Sequence, residues 1–122
     1  MTTIAPVQDN LSTTQLNNLV TMVTWPSLAN GDDGGPVGGS GWADKSVQVE
    51  GTFGGGGTVV LEGSNDGTNY RTLNDPFGVP LSFTAAGIHA ITEATRYIRP
   101  RVTGGDGTTG ITATVLVRRA VA

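Results

Sequence analysis

The chain has 122 residues, a 37% hydrophobic fraction and a net charge of −3, which is typical of one domain with a single core. It contains no cysteine, so disulfides and thiolate metal sites are excluded, and its acidic excess disfavours binding to nucleic acid. The 19 glycines and the many threonines and valines favour strands and turns over helices. We therefore predict an all-β protein.

Residues 1–17 are polar and show no sustained periodicity, which predicts an extended N-terminal arm without a core of its own. The β-sandwich domain is then expected to cover residues 18–122. The arm lacks the basic start and apolar run of a secretion signal, and no stretch reaches the roughly 18 apolar residues of a membrane span. We expect a protein that is made in the cytoplasm and does not enter a membrane.

The first predicted strand runs from Leu19 to Trp25. We expect it to end at Pro26, because proline removes a backbone donor. A glycine-rich loop, NGDDGGPVGGSG, follows over residues 30–41, and loops of this length are usually functional or mobile.

The segment 46–53 alternates in polarity and predicts a half-buried strand. Four glycines follow at 54–57, and they favour a flexible turn into an antiparallel partner strand at 58–62. After that strand comes SNDGTN at 64–69, where polar side chains bond to nearby backbone and Gly67 supplies a positive φ. This turn predicts a β-hairpin.

The second half of the chain continues with short strands. Asp75 to Gly78, DPFG, predicts a type I turn. Residues 97–103 alternate but contain Pro100, which favours an edge strand or a bulge. Residues 111–118 alternate clearly. Further short strands are predicted at 70–73, 81–84 and 88–91. About seven or eight strands result, as in an antiparallel sandwich, with jelly-roll and immunoglobulin-like topologies both open.

Charge is unevenly distributed along the chain. From Arg96 onward there are five arginines and one aspartate, a balance of +4, whereas the preceding residues carry two basic and nine acidic side chains, a balance of −7. This separation either orients the protein on a charged partner or only solvates the outer side of two strands.

Other residues permit two interpretations each. The aspartates in glycine-rich turns either bind a hard cation or cap their own backbone, and the second is the more common role. The aromatic side chains either stack on a sugar or fill the core and interfaces. The single histidine, His89, has no second histidine or cysteine as a partner. These aspartates are Asp32, Asp33, Asp66, Asp75 and Asp106, and these aromatics are Trp25, Trp42, Tyr70 and Tyr97.

No nucleophile, base and orienting group form a recognisable set in the sequence. We therefore expect no enzymatic activity and no cofactor. A protein surface is the expected type of partner.

Three segments in this order resemble one family. They are TWPSLANGDDGGPV at 24–37, WADKSVQVEGTFGGGGTVVLEGSNDGTNYRTLNDPFG at 42–78 and RYIRPRVTGGDGTTGITATVLVRR at 96–119. Together they are similar to small structural proteins of tailed bacteriophages and prophages, over about residues 20–119. The SNDGTN turn followed by an aromatic residue also resembles discoidin-like sugar-binding sandwiches.

The phage resemblance implies a capsid decoration or cement protein. Such a protein binds the outer surface of the head shell in many copies, commonly as a trimer, with the major capsid protein as its partner, and it stabilises the shell. A tail or connector protein and a carbohydrate-binding module are the alternatives. The expected contact regions are the arm, the loop 30–42 and the arginine-bearing strands. The candidate partner-binding residues are Thr2, Ile4, Val7, Leu11, Leu16, Asp32, Asp33, Val37, Trp42, Arg99, Arg101, Arg118 and Arg119.

Overall fold

The computed structural model describes residues 2–11, 20–38 and 43–119. Over these ranges the chain forms strands and turns and no helix, which confirms the all-β prediction. No helix in this part of the chain is long and apolar enough to cross a membrane. The strands are β1 (Thr3–Ile4), β2 (Val7–Asn10), β3 (Val20–Leu28), β4 (Asp33–Gly34), β5 (Val37–Gly38), β6 (Asp44–Thr52), β7 (Thr58–Ser64), β8 (Arg71–Thr72), β9 (Ser82–Phe83), β10 (Gly87–Ala90), β11 (Tyr97–Gly104) and β12 (Gly110–Arg118).

The strands form two sheets. The seven-stranded sheet has the order β1-β4-β11-β7-β8, with β5 also beside β11 and β9 also beside β7. The five-stranded sheet has the order β10-β6-β12-β3-β2. The eight predicted strands correspond to β3 and β6 to β12, and the described ranges contain four further strands, β1, β2, β4 and β5, in the predicted arm and glycine-rich loop. The architecture is sandwich-like.

A single core fills the space between the two sheets. Strand β12 shows how the alternation builds it: Ile111, Ala113 and Val115 are fully buried on one side, while the intervening residues point outward. Trp25 on β3 is also fully buried, and its Nε1 donates to the carbonyl of Gly35 at 2.8 Å. Period-two alternation therefore places the apolar side of each long strand in the interior.

The chain passes between the sheets more often than the sequence indicates. We predicted that the strand at 46–53 pairs with the strand at 58–62, and this is wrong: β6 lies in the five-stranded sheet and β7 in the seven-stranded sheet. The four glycines therefore connect two layers and do not close a hairpin. The predicted hairpin at SNDGTN is confirmed, because Glu62 pairs with Thr72 across it and Gly67 has φ +78°.

Strand β3 does not end at Pro26, contrary to our expectation. Its pairing with β12 shifts register between Ile111 and Ala113, which oppose Leu28 and Trp25 respectively. Two residues of β3 thus oppose one of β12, which defines a β-bulge. The bulge accommodates the proline, and the neighbouring Ser27 takes a positive φ of 54°.

The expectation for Pro100 also needs correction. Strand β11 is an inner strand, with β7 on one side and both β4 and β5 on the other. Its pairing with β5 ends at Ile98 and its pairing with β4 is at Arg101. Pro100 therefore lies where the neighbouring edge is interrupted, so its missing N–H costs no ladder bond on that side.

Residues 2–11, which we assigned to an arm, contribute an edge strand to each sheet. Strand β1 pairs in parallel with β4, and β2 pairs antiparallel with β3. The predicted boundary between arm and sandwich, at residues 17 and 18, lies outside the described residues. In the glycine-rich loop, β4 and β5 likewise join the seven-stranded sheet, so part of this loop belongs to a sheet.

Candidate partner-binding surface

The outward side of the seven-stranded sheet carries a network of charged side chains. Glu62 on β7 is 4% exposed, and its two carboxylate oxygens accept hydrogen bonds from Nε of Arg99 at 3.1 Å and Nε of Arg101 at 3.0 Å. The guanidinium of Arg99 also lies 3.6 Å from Asp33 and 3.8 Å above the ring centre of Tyr70. We call this region around Asp33, Glu62, Tyr70, Arg99 and Arg101 the polar face.

Charges on the polar face balance within the chain. Two arginines meet two carboxylates, and the hydroxyl of Thr3 adds a hydrogen bond to Asp33 at 2.9 Å. Burial of Glu62 is tolerable because both of its oxygens have cationic partners. Arg99 and Arg101 therefore give this face no excess positive charge.

The outward side of the five-stranded sheet is different in character, and we call it the apolar face. Large fractions of several side chains are open to solvent: Val7 56%, Leu11 47%, Ile88 60% and Leu116 42%. Neighbouring half-buried residues extend this apolar surface. Its apolar side chains are Val7, Leu11, Val20, Met22, Ile88, Ala90 and Leu116.

Sheet register brings these side chains together from distant parts of the sequence. Leu116 on β12 is opposite Met22 on one side and Ser46 on the other. Gln48, two residues beyond Ser46, is opposite Ile88. Leu116, Met22, Val20 and Leu11 are thus adjacent, whereas Ser46 and Gln48 separate Leu116 from Ile88, and Asp9, opposite Met22, separates Val7 from Leu11.

Two depressions mark the apolar face. The smaller has a volume of about 190 Å³ and is lined by Met22, Ser46, Gln48, Ile88, Thr114 and Leu116. The larger, of about 350 Å³, is lined by Val20, Asp44, Lys45, Ser46, Leu116, Val117 and Arg118. Leu116 and Ser46 line both, so the depressions adjoin.

An ion pair lies at one end of the apolar face, and the exposed Asp9 and Glu50 lie elsewhere on it. Arg118 donates to Asp44 from Nη2 at 2.6 Å and from Nε at 3.2 Å, and both side chains are about two-thirds exposed. Lys45 beside them is 5% exposed. Burial lowers the pKa of the Lys45 ammonium, while the nearby carboxylates of Asp44 and Glu93 oppose this change. This end can make charged contacts around an apolar centre.

Phe77 is the most exposed large apolar side chain in the described ranges, at 92%. It sits in the DPFG turn, where the hydrogen bond from Gly78 N–H to the Asp75 carbonyl confirms the predicted turn. The Asp75 carboxylate accepts from the N–H groups of Phe77 and Val79 at 2.9 and 3.0 Å. The turn therefore presents Phe77 on a backbone that is already ordered.

The other turn aspartates also cap backbone. Hydrogen bonds from the backbone and side chain of Asn69, and from Thr68 and Ser64, hold the pKa of Asp66 well below its usual range. The hydroxyl of Thr108, then the N–H of Gly55, lower the pKa of Asp106 to about 2. The capping interpretation is thus confirmed for these residues. In the described part of the chain no three histidine, aspartate or glutamate side chains form a group that could hold a metal ion.

The predicted partner-binding residues divide among several locations. Val7, Leu11 and Arg118 lie on the apolar face, Asp33, Arg99 and Arg101 on the polar face, and Arg119 is exposed just after β12. Leu16 and Trp42 lie outside the described residues. Val37 is a core residue, 6% exposed, and Ile4 packs against the core, so their side chains offer little surface to a partner.

Two further predicted residues bond within the chain. Asp32 is 7% exposed, and its carboxylate accepts from the N–H groups of Thr2 and Ala29. Asp33 is equally buried and is held by Thr3 and Arg99. These contacts hold the first described residues of the chain against the loop that follows β3. They explain why the two aspartates are buried.

Sequence reasoning missed Met22, Ile88, Leu116 and Phe77. The signal for Leu116 was its outward position in the alternation of β12, where a polar residue is the norm. Phe77 was recognisable as an apolar residue inside a turn. Of the four aromatics proposed for sugar stacking, Trp25 is in the core, and arginines stack on the rings of Tyr70 and Tyr97.

Comparisons with known proteins give little guidance. No family model and no curated protein matches the chain. Among solved structures, the chain is similar to Peruvianin-I, described as a cysteine peptidase from Thevetia peruviana latex, with a TM-score of 0.47 and 15% identity over 93% of this chain and 61% of that chain. The chain thus spans less than two thirds of that structure, and a likeness at this level carries no argument about function.

Proposed function

We propose that this chain is a non-enzymatic structural protein of a phage virion, which coats the outer surface of the head shell in many copies and stabilises it. The observation that carries the proposal is the apolar face, where four large apolar side chains are 42–60% exposed on the outward side of one sheet. Adjacent exposed apolar side chains mark protein–protein contact sites, and Leu116, Met22, Val20 and Leu11 form such an adjacent group.

The whole outward side of the five-stranded sheet is about the size of a stable contact. Strands lie about 4.8 Å apart and rise about 3.3 Å per residue, so three strands of nine residues and two of four residues cover about 550 Å². A partner covering all of it would bury about 1,100 Å² in total, close to the roughly 1,000 Å² expected of a biological interface, whereas a contact limited to one edge strand is smaller and weaker.

We further propose that the sandwich is a jelly roll. From β6 onward the longer strands alternate between the two sheets, the short β4 and β5 make the crossing between β3 and β6, and the five-stranded sheet has the order β10-β6-β12-β3 before β2 is added. This order supports a pair of Greek keys, the arrangement found in many viral capsid domains. On this proposal β1 and β2 are the ordered part of the N-terminal arm.

The edge formed by β2 is the proposed contact with the major capsid protein. Val7 and Leu11 are about half exposed there, at the border of the five-stranded sheet. A modest contact is sufficient, because many copies on one shell, assembled as the proposed trimers, add avidity. Deleting the predicted arm would remove an edge strand from each sheet, so point substitutions are the cleaner test.

The test measures binding to heads purified from the phage or prophage particle that encodes the chain. Val7→Asp and Leu11→Asp are expected to reduce co-sedimentation with heads by at least about tenfold, because each buries a charge in the contact. Thr103→Asp, an exposed position on the opposite sheet, is the matched control and should bind like the parent protein.

Unchanged binding by both variants would remove the β2 edge from the contact, and a parent protein that does not bind heads would refute the proposal. Counting copies per particle separates the alternative of a tail or connector protein. Decoration requires hundreds of copies, whereas a tail or connector ring needs only a few.

A further inference from the structure

Two features of the apolar surface lie on different parts of the chain and complement each other. One is the Phe77 side chain, which is 92% exposed on a turn fixed by four hydrogen bonds involving Asp75. The other is the smaller depression of the apolar face, which is lined by the apolar side chains of Met22, Ile88 and Leu116 and by the polar residues Ser46, Gln48 and Thr114. One feature projects from the surface and the other recedes into it.

The dimensions of these two features agree. A dry apolar cavity of about 150 Å³ is large enough to hold benzene, and the smaller depression has a volume of about 190 Å³. The depression is open to solvent, so a phenyl ring has room to enter it. The ordered turn also lowers the entropic cost of docking, because its backbone need not be immobilised on contact.

We propose that Phe77 of one copy inserts into the smaller depression of a second copy of this chain. The contact joins two different patches, so it is heterologous and repeats from copy to copy, closing into a ring when the rotation between copies permits. The inference rests on the proposed function in one respect: a shell-coating protein brings many copies together. On this inference Ile88 and Leu116 serve the contact between copies, and Val7 and Leu11 at the β2 edge are left for the capsid.

The first test is the molar mass of the purified full-length chain by sedimentation equilibrium and light scattering. The parent protein should form closed oligomers. Phe77→Ala and Ile88→Asp should each raise the dissociation constant between copies by about 10- to 100-fold, since removal of a central aromatic anchor typically has this effect. Thr103→Asp introduces the same charge as Ile88→Asp on the other sheet and should leave the oligomer intact.

Both changed residues are mostly exposed, at 92% and 60%, so the variants should keep the fold, which circular dichroism verifies. Mixing them is the decisive step. Ile88→Asp retains an intact Phe77 and Phe77→Ala retains an intact depression, so the mixture should form one-to-one dimers that neither variant forms alone. A contact between two identical patches would give no such complementation.

A cysteine cross-link supplies an independent readout. The natural chain has no cysteine, so the double variant Val79→Cys with Gln48→Cys, which keeps Phe77 and Ile88 and places the thiols beside the turn and in the depression, can form disulfides only at the introduced positions. Oxidation should produce covalent dimers and rings on a non-reducing gel, and each single variant should give no ladder beyond a dimer.

Three results would overturn the inference: a parent protein that is monomeric at millimolar concentration, full oligomerisation of Phe77→Ala, or mixed variants that stay monomeric. Failure here is separable from failure of the proposed function. A monomer that still coats heads refutes only the contact between copies, whereas an oligomer that binds no head refutes only the virion role.

Discussion

The outward sides of the two sheets differ in whether their side chains find partners within the chain. On the polar face, Glu62 is nearly buried and binds two arginines, so charges are satisfied within the chain. On the apolar face, Ile88 and Leu116 remain open to solvent with no covering segment in the described ranges. We infer that one sheet completes its interactions during folding, while the other leaves apolar area for association.

This difference separates stability from binding. A buried carboxylate contributes when its partners are present and is costly when they are lost, so substitutions on the polar face should act on unfolding. An exposed apolar residue adds little to the folded state, so substitutions on the apolar face should act on association.

The largest effect on stability is expected for Glu62→Ala. Removing this carboxylate leaves Arg99 and Arg101 side by side without their shared partner, and we expect a loss of about 2–3 kcal/mol in the free energy of unfolding, since hydrogen bonds to charged groups contribute about 1.5–3 kcal/mol. Urea denaturation measures it. Glu50→Ala, an exposed glutamate on the other sheet, is the control and should change stability by under about 0.5 kcal/mol. Equal losses of stability in both variants would contradict the larger contribution that we assign to the polar face.

A smaller effect is expected for Arg99→Lys. Lysine keeps the charge but loses the planar group that stacks on Tyr70 and reaches Asp33 and Glu62 together. We expect a loss of about 1 kcal/mol, in the range of a partly desolvated cation–π contact. Arg118→Lys, at a pair that is about two-thirds exposed, should cost less. If thermal unfolding shows a larger loss of stability for Arg118→Lys than for Arg99→Lys, the polar face does not contribute more to stability than the exposed pair does.

A pH-dependent effect is expected where the chain passes between the sheets. Asp106 accepts from Gly55 in the turn between β6 and β7 and from Thr108 in the turn between β11 and β12, and these bonds lower its pKa from 3.8 to about 2. A depressed carboxyl pKa stabilises the fold above pH 3.8, and this contribution is lost as the pH falls towards 2.

Asp106→Asn removes the charged acceptor, so the variant should melt at a lower temperature than the parent protein at pH 6. This difference in melting temperature should shrink between pH 4 and pH 2. Thr108→Val removes the hydroxyl donor and should move the acid loss to higher pH. A difference that stays constant down to pH 2 would exclude this role of Asp106.

The smallest effect on unfolding is expected for Leu116→Thr on the apolar face. The side chain is 42% exposed, and threonine suits a strand, so the free energy of unfolding should change by under about 0.5 kcal/mol. Association between copies, measured by light scattering on the same samples, should nevertheless weaken. Loss of stability without loss of association would reverse the roles that we assign to the two faces.

Local patterns were sufficient for much of the fold. Alternation identified β12 and the inward positions of β11, and the chemistry of SNDGTN and DPFG identified two turns. These predictions succeeded because the turn residues bond within a few positions of themselves, as Asp66 does with Thr68 and Asn69. Of the candidate partner-binding residues, Val7, Leu11 and Arg118 lie on the apolar face, and their role in binding stays a prediction.

Predictions that depended on pairing were less successful. The glycines 54–57 are compatible with a hairpin and with a crossing between layers, and only the positions of β10, β11 and β12 distinguish the two. The proline predictions failed for the same reason: a bulge at Pro26 and an interrupted neighbour at Pro100 each depend on a strand far away in sequence.

By itself, the sequence determined that this chain is all-β, where most strands lie and which side of each long strand is buried, because a strand's side chains alternate regardless of its neighbours. Only the tertiary structure decided which strands are adjacent, and therefore that Glu62 meets two arginines 37 and 39 positions away while Met22, Ile88 and Leu116 share one depression. The physical reason is that the polarity of a sheet's outward side depends on the residues of all its strands together. The sequence of one strand does not specify which strands lie beside it.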